Sequence, residues 1–234
     1  MSGNIIVSEY PSRINCVKSG SHDKQRPSES DENNGSDENK RSEARALHLQ
    51  HHTDGLPLFE QLLRPFQINK SRLPNRVQPY LDHRQKMSLV LKGKAPNGVV
   101  VTKYGTRTRD SKQSRFVAIK DKSSKKPVAI AFIKINANEL GEEQQDRIFD
   151  SNKDDAFGMV LEETGTKTRG EVQSFYRIQD VADKKKLFDF LDPSTQQELK
   201  LDNPDVILYG RKNHMYKAFS DEPVAIVYEF IIED

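Results

Sequence analysis

A chain of 234 residues, 34% hydrophobic and 31% charged, accommodates one ordinary domain plus a polar extension. Its 37 basic side chains nearly balance 35 acidic ones, for a net charge of +2, which lacks the strong basic excess of a dedicated nucleic-acid binder. The one cysteine, Cys16, excludes an intrachain disulfide framework, and no apolar run reaches the length of a membrane span.

The first element in chain order is a short apolar anchor around Ile5, Ile6, Val7 and Tyr10. The stretch "KSGSHDKQRPSESDENNGSDENKRSEAR" at 18–45 follows, with Ala44 as its only hydrophobic residue. Such a segment buries too little surface to offset the entropy of ordering it. Residues 1–52 are therefore expected to be a disordered, low-complexity tail, and 53–234 a single α+β domain. The start lacks a basic segment followed by an apolar one, so no cleaved signal peptide is expected. That pattern suits a cytoplasmic protein, or one exported without a cleaved signal.

Leu58, Phe59, Leu62 and Leu63 have helical spacing, with Pro57 in the first turn, and "NRVQPYLDHRQ" predicts a second short helix. After Met87 the periodicity moves toward two. "MSLVLKG" and "NGVVVTKYG" read as strands joined by "GKAPNG". "RFVAIKD" and "KPVAIAFIKIN" predict a hairpin closed by "KDKSSKK". "NELGEEQQDRIFD" reads as a polar helix, "AFGMVLEE" and "EVQSFYRIQD" as strands. "VADKKKLFDFLDPSTQQELKL" predicts two helices, the second capped by Ser194. "DVILYG", a turn through "RKNH", "MYKAF" and the strand "PVAIVYEFII" close the chain.

The tetrapeptide PVAI occurs twice, at 127–130 and 223–226, each time after a charged turn and ahead of a nearly unbroken apolar run. A strand covered on both faces reads this way, and a proline at its start disturbs the hydrogen-bond ladder least. Both segments are thus expected to be interior strands of one mixed, mainly antiparallel sheet flanked by helices.

Several motifs invite chemistry. "RFVAIK" has the look of the kinase strand whose lysine, here Lys120, meets phosphate, but the other kinase segments are missing. His48, His51 and His52 share a helical face, with only Asp54 near as a further metal ligand; no metal site is predicted. "KYGTRTRDSKQSR" at 103–115 gathers Arg107, Arg109 and Arg115 with Tyr104 in an expected basic loop that suits phosphates or single-stranded nucleic acid. "EETGTKTRGEV" at 162–172 is a glycine-bearing loop whose amides suit an anion, with Lys167 and Arg169 beside it.

The order of elements over 56–234 resembles the GNAT acyltransferase superfamily. Two helices precede the hairpin "FVAIKDKSSKKPVAIAFIKI", the strand "FGMVLEE" follows, and "KTRGEV" is similar to the start of that family's pyrophosphate loop. Val172 departs from the pattern where a second small residue belongs. The resemblance implies acyl-CoA as cofactor, held around Lys167, Thr168, Arg169 and Gly170. It further implies Tyr216 as the acid that reprotonates the thiolate and Glu162 or Glu163 as the base for an amine acceptor.

Three expectations about function result. The leading one is an interaction or effector-like protein, with virulence-type export, whose compact domain binds another protein. The alternatives are an acyl-CoA-dependent N-acyltransferase and nucleic-acid binding through the basic segments at 103–126.

Overall fold

The computed structural model describes residues 56–109, 111–149 and 156–233. The expected tail, Cys16 and the three clustered histidines lie outside the described residues. Seven strands form one sheet: β1 (Gln67–Ile68), β2 (Val99–Arg109), β3 (Lys112–Asp121), β4 (Pro127–Asn136), β5 (Thr168–Ile178), β6 (Ile207–Lys217) and β7 (Pro223–Glu233). Their spatial order is β1-β5-β6-β7-β4-β3-β2, and every pairing is antiparallel. The α-helices are α1 (Leu56–Leu63), α2 (Gln78–Leu81), α3 (Met87–Val90), α4 (Glu142–Phe149), α5 (Phe157–Glu163), α6 (Val181–Leu187) and α7 (Pro193–Glu198). No helix among the described residues is long and apolar enough to cross a membrane.

The two PVAI segments are β4 and β7, and they pair with each other at the centre of the sheet, from Ala129 opposite Ile231 to Ile135 opposite Ala225. Alternation sends Ile130, Phe132, Tyr228 and Phe230 to one face, under α1, α6 and α7. The opposite face divides into two apolar clusters. Val117, Ile133 and Val227 pack with Phe157, Val160 and Leu161 of α5; Ile119, Ala129 and Ile231 pack with Leu81, Met87 and Leu91 around α2 and α3. Pro127 and Pro223 each stand where the ladder shifts register, so neither missing N–H interrupts a run of paired strand.

Four local expectations are corrected. "MSLV" is helix α3, because Met87 and Leu91, four residues apart, both turn into the core. "FGMVLEE" is helix α5: Phe157, Val160 and Leu161 are buried while Met159 is exposed, a helical and not an alternating pattern. "RKNH" is no turn but the middle of the eleven-residue strand β6. The cap of α7 is Asp192, whose side chain accepts from Thr195 N, two residues ahead of the expected Ser194.

Glycine at 210 is required by the close approach of β6 and β7. A Cβ there would overlap the Phe230 ring and stand 3.1 Å from the Glu229 carbonyl oxygen.

Candidate functional site

On the divided face of the sheet, the gap between the two apolar clusters is a cavity of about 650 Å³, counted out to its open mouth. The floor is strand residues two apart: Arg115, Val117 and Ile119 of β3, Ala131 and Ile133 of β4, Val227 and Glu229 of β7, Asn213 and Met215 of β6. Met87 of α3 and Phe157 and Gly158 of α5 wall it, with the Lys86 side chain between the helices. Small side chains at Ala131, Val117 and Val227 leave room that the two helices do not fill.

The polar lining is embedded. Arg115 is 3% exposed, and its Nε donates to Gln113 Oε1, itself buried. Asn213 is 3% exposed, and its Oδ1 has no hydrogen-bond partner among the described residues. Burial of an unsatisfied amide oxygen is unfavourable by about 1–3 kcal/mol, so such a group commonly meets a ligand or water.

Glu229 is anchored from beneath. Arg211 on β6 is fully buried and donates from Nε to Glu229 Oε2 at 2.6 Å. Its remaining nitrogens donate to the carbonyls of Leu81, His83 and Gln85 at 3.1, 2.7 and 3.3 Å. One guanidinium therefore fastens the segment after α2, and through it Lys86 and Met87, to the cavity floor. His83 shares this knot: Nε2 donates to Tyr80 O at 2.7 Å and Nδ1 accepts from Gln85 N at 3.1 Å. Burial, then the Arg211 charge, hold its imidazole below the ordinary histidine range.

Lys86 stretches along Gly158, where a Cβ would stand 3.3 Å from Lys86 Cδ, and its ammonium lies 3.7 Å from Glu162 Oε2. The charged groups of the lining are Lys86, which pairs with Glu162, Arg115, and Glu229, which Arg211 holds from outside the lining. The ammonium and the guanidinium of the lining only donate hydrogen bonds, which suits an occupant that carries acceptors.

A second polar knot occupies the opposite face. Glu60 of α1 accepts from Lys212 Nζ at 2.6 Å and from the Tyr228 hydroxyl. Burial raises the Glu60 carboxyl, but the bonds from Lys212 and Tyr228 outweigh it and hold the group below its ordinary value. Burial and then Glu60 push the Tyr228 hydroxyl far above the usual phenol range. This knot fixes α1 to the sheet.

The residues expected for acyl transfer are not brought together. Tyr216 lies with His214 on the α1 side, its hydroxyl 3.3 Å from His214 Nδ1 and its ring 4.8 Å from the Arg169 guanidinium. Glu162 and Glu163 stand on α5 against the other face, paired with Lys86 and Arg147. The supposed pyrophosphate loop is a ladder: β5 pairs with β6 from Thr168 opposite Lys217 to Ile178 opposite Leu208. Thr168, Arg169 and Gly170 lie in that strand, Lys167 just before it, and the expected strand ahead of the loop is helix α5. Without two splayed strands, no row of free amides faces a pyrophosphate.

The expected basic loop is likewise two paired strands. Arg107 and Arg109 lie on β2, their side chains outside the described ones, while Arg115 is buried in the cavity and not offered to a phosphate backbone. Tyr104 donates to Glu198 Oε2 at 2.9 Å and packs on Phe116.

No family model matches the chain, and no curated protein sequence does. Among solved structures, it is similar to the ligand-binding domain of a protein described as a GntR-family transcriptional regulator from Bordetella bronchiseptica. Identity is 11%, coverage 59% of this chain and 85% of that one, and the TM-score 0.40. A GntR-family transcriptional regulator from Bacillus cereus gives 11% identity, 57% and 90% coverage and a TM-score of 0.36. PhnF from Mycobacterium smegmatis gives 9%, 64% of each chain and 0.39. None of the three is described as an acyltransferase or an exported protein-binding effector. The ladder through 168–178 sets aside the acyltransferase resemblance, and the effector, virulence and secretion expectations find no counterpart in the descriptions of these structures.

Arg211, Asn213 and Glu229 escape a reading by motif. Glu229 still leaves a trace, as the one charge inside an otherwise apolar run. A carboxylate in a strand covered on both faces requires a buried cation, and Arg211 on the neighbouring strand supplies it.

Proposed function

We propose that this chain is a small-molecule-binding domain whose ligand has an apolar body and hydrogen-bond acceptors, held between the sheet and helices α3 and α5. The observation that carries this reading is a cavity that is mostly apolar in lining yet includes three buried polar side chains, Arg115, Asn213 and Glu229. Binding is favoured over catalysis by the lining: among the described residues it includes no serine, threonine, cysteine, tyrosine or histidine, and its carboxylate Glu229 is held by Arg211. One of the similar structures is described as a ligand-binding domain.

The test is ligand-observed NMR on the full chain with a panel of small aromatic and aliphatic carboxylates, repeated on Ala131→Leu, which fills the floor. Saturable binding that Ala131→Leu abolishes supports the site. Absence of binding by every panel member at millimolar concentration, or binding indifferent to Ala131→Leu, overturns it.

A further inference from the structure

We propose that Lys134 is a site of Nε-acylation by acyl phosphates, with Lys112 beside it holding the phosphate of the donor. The chain is here the acceptor of the acyl group and not a catalyst of its transfer. The face of the sheet under α1, α6 and α7 is roofed at one end only. Phe116, Phe132 and Tyr228 are buried beneath those helices, whereas two positions further along, Ser114, Lys134 and Ile226 are half-buried. Ser114 stands opposite Lys134 and Lys134 opposite Ile226, so the lysine lies mid-sheet in the unroofed part.

Lys134 is the one charged residue of β4, "PVAIAFIKIN". A charge in such a strand calls for a partner. Glu229 has Arg211, Lys120 has Glu198 and Lys212 has Glu60. Lys134 has none among the described residues. Glu60, the carboxylate whose charge reaches it, is already bound by Lys212 Nζ at 2.6 Å and by the Tyr228 hydroxyl. Nor is Lys134 Nζ sealed in: it is not among the buried side-chain atoms that lack a partner, so it meets solvent. Lys112 is opposite Asn136, which makes the two lysines diagonal neighbours across β3 and β4, about 7–8 Å apart. Lys112 is exposed. Burial first, then the Lys112 charge, hold the Lys134 ammonium below the ordinary lysine value, against the opposing pull of Glu60. More of the group is thereby the neutral nucleophile. Lys184 is also held low by burial, but it is fully buried and donates to the carbonyls of Asn203 and Val206 at 2.6 and 2.8 Å, out of reach of a reagent.

In the step, neutral Nζ attacks the acyl carbonyl carbon. The C–N bond of the amide forms, the C–O bond to phosphate breaks, phosphate leaves with the electron pair, and the surplus proton on nitrogen passes to water. Lys112 favours an acyl phosphate over an uncharged donor because its ammonium attracts the negatively charged phosphate to the amine.

The full chain is exposed to millimolar acetyl phosphate, and acetylation of each lysine is followed by mass spectrometry. Lys134 is expected to react about tenfold faster than Lys122, Lys125 and Lys126, the exposed lysines between β3 and β4, and Lys184 not at all. Inorganic sulfate, competing for Lys112, should slow Lys134 and leave those three unchanged, and Lys112→Gln should slow Lys134 several-fold. The sulfate comparison needs no variant and stands if Lys112→Gln misfolds. Lys134 reacting no faster than the three exposed lysines overturns the site. A Lys134 rate indifferent to sulfate, or to Lys112→Gln in the folded variant, overturns the pairing with Lys112 and the acyl phosphate assignment with it.

Discussion

Arg211 and Glu229 face each other across β6 and β7, Nε 2.6 Å from Oε2, both buried, and the same guanidinium binds the carbonyls of Leu81, at the end of α2, and of His83 and Gln85 after it. This places an ion pair where the apolar strands would otherwise be continuous. It joins the floor of the cavity to one of its walls.

Loss of either partner should be costly. Arg211→Met strands a buried carboxylate and three carbonyls, and Glu229→Met strands a buried guanidinium. Each single variant is expected to lose about 3–5 kcal/mol in urea unfolding. The double variant should lose less than the sum of the two, because neither charge is then left alone. Additive losses would show that the pair is not coupled.

Ala131→Leu should separate stability from binding. The added side chain enters empty space and not packed core, so stability is expected to hold or rise by up to about 2 kcal/mol. Carboxylate binding should be abolished. A drop in stability with binding unchanged would show that the side chain does not enter the cavity.

Acid should destabilise the protein in two windows. His83 and His214 are both held low by burial first, with Arg211 and Lys212 respectively adding to it, so the folded state keeps them neutral. Their contribution is full above the ordinary value of 6.5 and shrinks as pH falls below it, because the unfolded chain takes up the proton first. Glu60 is held below its ordinary 4.5, so its contribution is present above that pH and is lost as pH falls through the depressed value. Denaturant midpoints measured from pH 8 to pH 3 should show both declines. Glu60→Gln should flatten the lower one, and His83→Gln should shrink the upper one.

Gly170→Ala should damage the site from a position outside the cavity lining. The new methyl presses on the Arg84 carbonyl and the Asn213 amide. Backbone cannot yield as a flexible side chain does, so the segment after α2 must shift. A fall in carboxylate affinity of at least tenfold is expected, with amide chemical-shift changes at residues 81–86. Unchanged affinity would mean that Gly170 has no part in pressing Asn213 into place.

The central strands were legible because burial on both faces leaves a continuous apolar run, and the prolines mark where β4 and β7 begin. The site was not legible for a related reason. "RKNH" reads as a turn and "SR" as the end of a basic loop when polarity is taken as a sign of solvent. In the folded chain Arg211, Asn213 and Arg115 are strand residues turned toward a cavity. Helices α3 and α5 were mistaken for strands because each has an apolar run too short for periodicity to distinguish the two states.

By itself the amino-acid sequence determined an α+β architecture, the placement of β4 and β7 inside one helix-covered sheet, and the hairpin that joins β3 to β4, since these follow from local patterns of burial and turn chemistry. The tertiary structure alone decided that β4 and β7 are neighbours, that two separate helical packs leave a gap above them, and that Arg115 and Asn213 face each other across it. Those relations depend on contacts between residues about a hundred positions apart, for which local periodicity has no term.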